Sequence, residues 1–313
     1  VKRQFGKKTA AVFLTLLLCL SAASPASAGV TRTHAAYAQT DVPEEVKKIF
    51  TEAERKNSAL DSCEGSFTIN TVTDFTLNIL GGKSAGFTVG TAGTMKAKNA
   101  GGDDLQFLIE ETAGNENRIR TDAFYKEGYL YLKVGAEGAD DEDTARIKTA
   151  LPVNRAVAAL AATVDPLSAD ISAVRTMEMK KDGDNTVITY TADPDRISSA
   201  VTRFLLGSIS GDLAESLSDE QDGSSEKSVI SSFEGEVTIN PDGYYTEKKA
   251  VIKTGNASDA AVSASAVSTI DFKIVNPGEP VDFELPEGDD YRDTGTDRST
   301  DRSASGTLTA SLD

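Results

Sequence analysis

The sequence predicts an α+β fold in which a large, curved, meandering antiparallel sheet is faced by amphipathic helices. Long stretches alternate apolar and polar residues with the period of two that a half-buried strand requires. These stretches follow one another through short turns, as hairpins, and not through the strand–helix–strand crossovers of a parallel sheet. The predicted order is helix, strands, helices, strands, helix, strands, in a single domain from Asp41 to Gly288.

The elements are justified in chain order. Lys2, Arg3, Lys7 and Lys8 precede an apolar run from Ala10 to Leu20 that is too short to span a bilayer. Ala26, Ser27 and Ala28 then give the small-x-small pattern of a signal-peptidase site. Residues 1–28 are therefore expected to be a signal peptide cleaved after Ala28, which places the protein outside the cytoplasm, secreted or in the cell envelope. Cys19 follows the bulky Leu18, where a lipid-attachment motif needs a small residue. Residues 29–40 read as a flexible lead carrying the chain's one histidine, His34.

Asp41 and Glu44 are spaced as a capping box, Pro43 suits a first helical turn, and Val46, Ile49, Phe50, Ala53 and Leu60 recur near helical period. A long strand follows, with Phe67, Ile69, Thr71, Thr73, Phe75, Leu77 and Ile79 on one face. Gly81 and Gly82 turn the chain, and Phe87, Val89, Thr91 and Met95 continue the same period. "DDLQFLIEE" and "RIRTDAFYKEGYLYLKV" supply further strands, the latter turning tightly at Glu127 and Gly128. "DTARIKTALPVNRAVAALAATVDP" reads as one or two helices interrupted by Pro152. "VRTMEMKK", "DGDN" and "TVITYTA" form a hairpin, and Asp193–Pro194 opens another helix carrying Ile197, Val201, Phe204 and Leu205. "VISSFEGEVTI", "YYTEKKAVIKTG" and "AAVSASAVSTIDFKIV" complete the sheet. Pro280 to Pro286 reads as a proline-tolerant edge segment closing the fold, and the polar tail at 289–313 as disordered.

Composition narrows the function. A net charge of −17, more negative still once the signal-peptide cations leave, argues against nucleic acid and anionic lipid headgroups as principal partners. Cleavage after Ala28 leaves Cys63 as the one remaining cysteine, a buried small hydrophobe with no partner for an intramolecular disulfide. The motif fragments that could mislead lack their contexts. Gly82-Lys83-Ser84 has Leu77 where a phosphate loop needs glycine, and it joins strands. Ser224-Ser225-Glu226-Lys227 and Lys253-Thr254-Gly255 lack the helical domain between the corresponding motifs of penicillin-recognising enzymes. Asp140 to Asp143 reads as the acidic approach to a helix, and Asp182 and Asp184 flank a hairpin turn. Neither cluster has calcium-loop spacing, and the sequence offers no metal site, no catalytic set and no cofactor motif. What remains is the apolar sheet face, with Phe67, Phe75, Leu77, Phe87, Val89, Phe107 and Ile109 as candidate ligand-facing residues.

The helix ending in "SALDSCEGSFTI", the "YKEGYLYLKV" hairpin, and the closing pair "INPDGYYTEKKAVIK" and "STIDFKIVNPGEPVDFELPEG" resemble the lipoprotein-carrier-like superfamily (LolA/LppX-like), in particular its LppX-like exported proteins of Gram-positive bacteria. The resemblance covers Asp41 to Gly288 and implies a half-barrel sheet wrapped around helices, with a concavity that receives acyl chains. The expected function is that of an exported, non-enzymatic binding protein of the cell envelope. It would handle a hydrophobic ligand such as a lipid or a lipid-modified partner, and it would need no cofactor and no transmembrane anchor in the mature chain. The alternative is an extracellular protein–protein interaction module with a filled core and an acidic contact surface, its partner an envelope protein.

Overall fold

Strand alternation dictates what is built. In a computed structural model describing residues 42–77, 83–115, 118–164, 171–194, 229–255, 262–288 and 290–293, the alternating stretches pair into a 12-stranded sheet. The strands are β1 (Cys63–Leu77), β2 (Lys83–Lys98), β3 (Gln106–Ala113), β4 (Ile119–Lys126), β5 (Tyr129–Ala136), β6 (Ala145–Ala150), β7 (Val174–Asp182), β8 (Asn185–Ala192), β9 (Val229–Ile239), β10 (Tyr245–Gly255), β11 (Val262–Val275) and β12 (Arg292–Asp293). Their order across the sheet is β12-β6-β5-β4-β3-β2-β1-β11-β10-β9-β8-β7. β12 joins β6 in parallel; the other neighbours are antiparallel. Glu127 (φ 52°) and Gly128 (φ 81°) make the two-residue hairpin between β4 and β5 with both residues left-handed, as a primed turn requires.

Two α-helices lie among the described residues, α1 (Glu44–Ser58) and α2 (Val153–Val164). α1 buries Val46, Phe50 and Ala53, one stripe at helical spacing, and packs on β7, β8 and β10. Its first turn is acidic and its last basic, matching the helix dipole. Pro43 is the N-cap and not a first-turn residue, no side chain caps the helix, and Asp41 of the expected capping box lies outside the described residues.

The large antiparallel sheet stands as expected; its wrapping around helices does not. A helix of 15 residues is about 22 Å long. A 12-stranded sheet is roughly 53 Å wide at the usual strand spacing. α1 therefore covers one side of the sheet. The helix expected after Asp193 falls outside the described residues.

"ARIKTA" is also corrected. It is strand β6, with Ala145, Ile147 and Thr149 opposite Val134, Leu132 and Leu130. Pairing with a hydrophobic neighbour decides the conformation where a short polar sequence does not. Pro152 immediately precedes α2 instead of interrupting a helix: its carbonyl accepts from the amides of Arg155 and Ala156 in the first turn. Asp140 is the N-cap of a single 3₁₀ turn, Asp141–Asp143, that leads into β6 and not into an α-helix, and this turn holds Asp141 where its carboxylate meets Lys133 (2.7 Å) and Arg146 (2.9 Å). Those two cations hold the Asp141 carboxyl below its ordinary range.

The closing segment is a strap lying over inner strands, not a segment along the sheet edge. After a turn at Asn276–Gly278, the Lys98 ammonium donates to the Phe283 carbonyl (2.9 Å) and the Lys126 ammonium to that of Pro286 (3.3 Å). Past the expected boundary at Gly288, Arg146 meets Asp290 (3.3 Å) and Tyr291 packs edge-on against Phe124 and Tyr131, at 5.5 and 5.4 Å between ring centres. Residues 290–293 thus belong to the fold, while the rest of the expected disordered tail lies outside the described residues. Phe124 and Tyr131 alternate with Tyr125 and Leu130, so strap and α1 lie on opposite faces of the sheet. Replacing Tyr291 by Ala is expected to lower the unfolding free energy by about 1–3 kcal/mol, with Tyr129→Ala close to neutral, in urea titrations of both variants.

Candidate functional site

The face that carries α1 can be followed strand by strand from the register. One row reads Thr121, Glu111, Gly93, Phe67, Phe272, Lys248, Val237 and Ile188 across β4, β3, β2, β1, β11, β10, β9 and β8. The next row reads Ile119, Ala113, Thr91, Ile69, Ile270, Ala250, Gly235 and Tyr190. Two glycines let aromatic rings lie flat on the sheet. A Cβ on Gly93 would come within 2.6 Å of the Phe67 ring, and one on Gly235 would overlap the ring of Tyr190. Tyr190 then packs edge-on against Phe50 of α1 (5.4 Å), which is the seat of the helix.

The candidate residues separate into two groups on this face. Phe67, Phe107 and Ile109 are buried; Phe107 stacks on Tyr125 (5.5 Å), whose hydroxyl donates to the Leu151 carbonyl (3.0 Å) just before α2. Phe75, Phe87 and Val89 are only partly buried. Phe75 stacks on Phe87 (5.4 Å) across the β1–β2 ladder, several residues from the seat of α1. Leu77 ends β1 opposite Lys83 and Val262. The packed group is core; the stacked pair at the far end has apolar surface open to solvent.

Polar groups on the same face went unread in the sequence. Lys248, 3 % exposed, lies over the Tyr245 ring (4.1 Å) and pairs with Glu54 of α1 at 3.3 Å. Thr71 and Ser268 share a buried hydroxyl–hydroxyl hydrogen bond of 2.9 Å between β1 and β11. The buried Thr73 and Thr121 hydroxyls have no hydrogen-bond partner among the described residues. Glu111 occupies the next position of the stripe that begins Phe107, Ile109, and desolvation pushes its carboxyl up to about 7. A carboxylate on an apolar stripe is the signal that could have found it. Burial also pushes the Cys63 thiol up to about 11, which makes it an inert core group.

No family model matches the chain, and no curated protein matches it. The functional reading rests on the geometry of this face. Among the described residues no helix is long and apolar enough to cross a membrane.

Two expected outcomes follow from the buried charges. Lys248→Ala should cost about 2–3 kcal/mol in urea unfolding because it strands Glu54 beside the core, whereas the double variant Glu54→Leu with Lys248→Met should recover much of that loss. For Glu111 the folded carboxyl binds its proton more tightly than the unfolded one, because desolvation raises its pKa from the ordinary carboxylate range up to about 7. Its contribution therefore opposes folding progressively as pH rises through this window. Urea midpoints across pH should show that decline in the wild type, and Glu111→Gln should flatten it.

Proposed function

We propose that this is an exported, non-enzymatic binding protein of the cell envelope that takes a hydrophobic ligand, such as a lipid or a lipid-modified partner, on the α1 face of its sheet. The observation that carries this reading is the split of that face. One end is filled by α1 and its aromatic seat, while the other bears the stacked Phe75–Phe87 pair and Val89 with apolar area partly open. An aromatic pair left partly wet beside Val89, beyond the Thr71–Ser268 hydroxyls, is suited to bind an alkyl chain. In this reading the sheet curls as a half-barrel, the form implied by the resemblance to the LolA/LppX-like superfamily, and the signal peptide directs the chain out of the cytoplasm.

The second reading is an interaction module whose core is already filled. It is favoured by the dense packing at Phe50, Phe67 and Phe107, each 8 % exposed or less. Ligand uptake separates the two. Nile red fluorescence should rise on addition of the folded wild-type protein, and Phe87→Asp should cut the apparent affinity at least about fivefold. Val89→Trp, which fills the same space without adding charge, should do likewise. Equal uptake by wild type and both variants would remove the assignment to this end of the face. A lack of uptake, with a protein partner recovered by crosslinking in native envelopes after lipid removal, would favour the second reading.

A further inference from the structure

Glu111 and Thr121 stand directly opposite each other on β3 and β4, their Cβ atoms about 5 Å apart as in any such pair. Both belong to the α1 face, and both are polar positions in an apolar neighbourhood. Ile109 and Ala113 precede and follow Glu111 on its strand, and Ala123 and Ile119 flank Thr121 on the same face. On the other side β2 contributes Gly93, whose missing side chain is replaced by the ring of Phe67. Val134 of β5 closes the row beyond Thr121.

The hydrogen-bonding capacity of the pair is unused. The Thr121 hydroxyl, in a residue 2 % exposed, has no partner among the described residues. No hydrogen bond or ion pair from the described residues reaches the Glu111 carboxyl either, and its shift toward neutral pH has burial as its cause with no charge contributing. The charged groups nearest in sequence face the other way. Glu110, Arg120 and Asp122 are joined in ion pairs on the opposite face, Arg120 to Glu110 at 2.6 Å and to Asp122 at 2.8 Å. Arg118, which precedes β4, pairs with Glu137 at 3.2 Å. Across the row, Lys248 of β10 is held by Glu54 of α1. β2 and β1 present Thr91, Gly93, Met95, Phe67 and Ile69 to this region, none of them charged. A buried hydroxyl and a desolvated carboxyl left unpaired each cost folding free energy, and such groups call for a partner.

We infer that Glu111 and Thr121 form a polar anchor on the apolar face for the amine head of a hydrophobic ligand. This inference rests on the reading of that face as a hydrophobic-ligand surface. An alkylammonium group supplies donors that a carboxylate accepts, and its positive charge gives Glu111 the countercharge that its surroundings lack. The Thr121 hydroxyl accepts a further donor from the same head. An anionic head would set two negative charges together in an apolar setting and is excluded on the same ground. Binding of the amine therefore favours the ionised carboxyl, so capture releases a proton when Glu111 starts out protonated.

The test uses three probes of equal chain length below their aggregation concentrations: dodecylamine, dodecanol and dodecanoate, each titrated against Nile red on the full folded chain. Wild type is expected to bind dodecylamine about tenfold tighter than dodecanol, with dodecanoate the weakest, since a hydrogen bond to a charged group has about that effect. Glu111→Gln should bring dodecylamine down to the dodecanol affinity, and Thr121→Val should reduce the preference by a smaller factor. Glu111→Gln keeps the side-chain shape and removes a buried charge, so folding of that variant is not the obstacle. Dodecanol binding without amine preference in the wild type, or a preference that survives Glu111→Gln, overturns the anchor alone. Failure of all three probes to bind overturns both the anchor and the hydrophobic-ligand reading.

Discussion

The ladder between β1 and β11 is the interaction on which the sheet depends. β1 lies near the beginning of the described chain and β11 near its end, yet they pair from Glu64 with Val275 to Leu77 with Val262. β2 to β6 lie on one side of this seam and β10 to β7 on the other, so the seam alone makes two meanders one sheet. Phe67 faces Phe272 and Ile69 faces Ile270, while Thr71 and Ser268 bond to each other where apolar side chains give way to hydroxyls. That hydroxyl pair fixes register, because a slip of one residue would turn every apolar residue to the wrong face. The cost is kinetic: a pairing of such sequence separation must close a very large loop before any of its contacts form.

The two faces of the finished sheet use different means. On one, α1 is seated by Phe50 on Tyr190 and tied down by Glu54 to Lys248. On the other, the chain's own closing segment lies across the strands, held by lysines at backbone carbonyls and by Tyr291 on Phe124 and Tyr131. The helix is local and periodic; the strap is neither. On the α1 face, apolar surface stays partly open where the central strands β1 and β2 run on past the packed rows to Phe75 and Phe87.

The legibility of these features in the sequence tracks their periodicity. β1, β2 and the last three long strands were readable because Phe67 to Phe75 and their counterparts alternate over many residues, and the 127–128 turn because Gly128 suits left-handed backbone. β6 was misread as helix because Arg146, Lys148 and Thr149 blur the alternation and only the neighbouring β5 makes it a strand. The strap was half-read: its prolines announced irregular backbone, but nothing local shows that Lys98 and Lys126 wait for its carbonyls. Candidate residues on the sheet face were found by parity, which places Phe75 and Phe107 alike and cannot tell the open end from the packed one. Glu111 was legible as a break in the apolar stripe, whereas Lys248 was not, its partner Glu54 lying 194 residues away.

The strap also bears on how the cell judges the molecule. Phe124 and Tyr131 are stacked at 4.5 Å and Tyr291 lies against both, so their cover comes from the last described residues of the chain. A copy truncated or clipped before Tyr291 would display that aromatic pair at the surface. Chaperones and proteases recognise exposed aromatic surface of this kind, so the strap separates copies that carry Tyr291 from fragments whose sheet has otherwise formed.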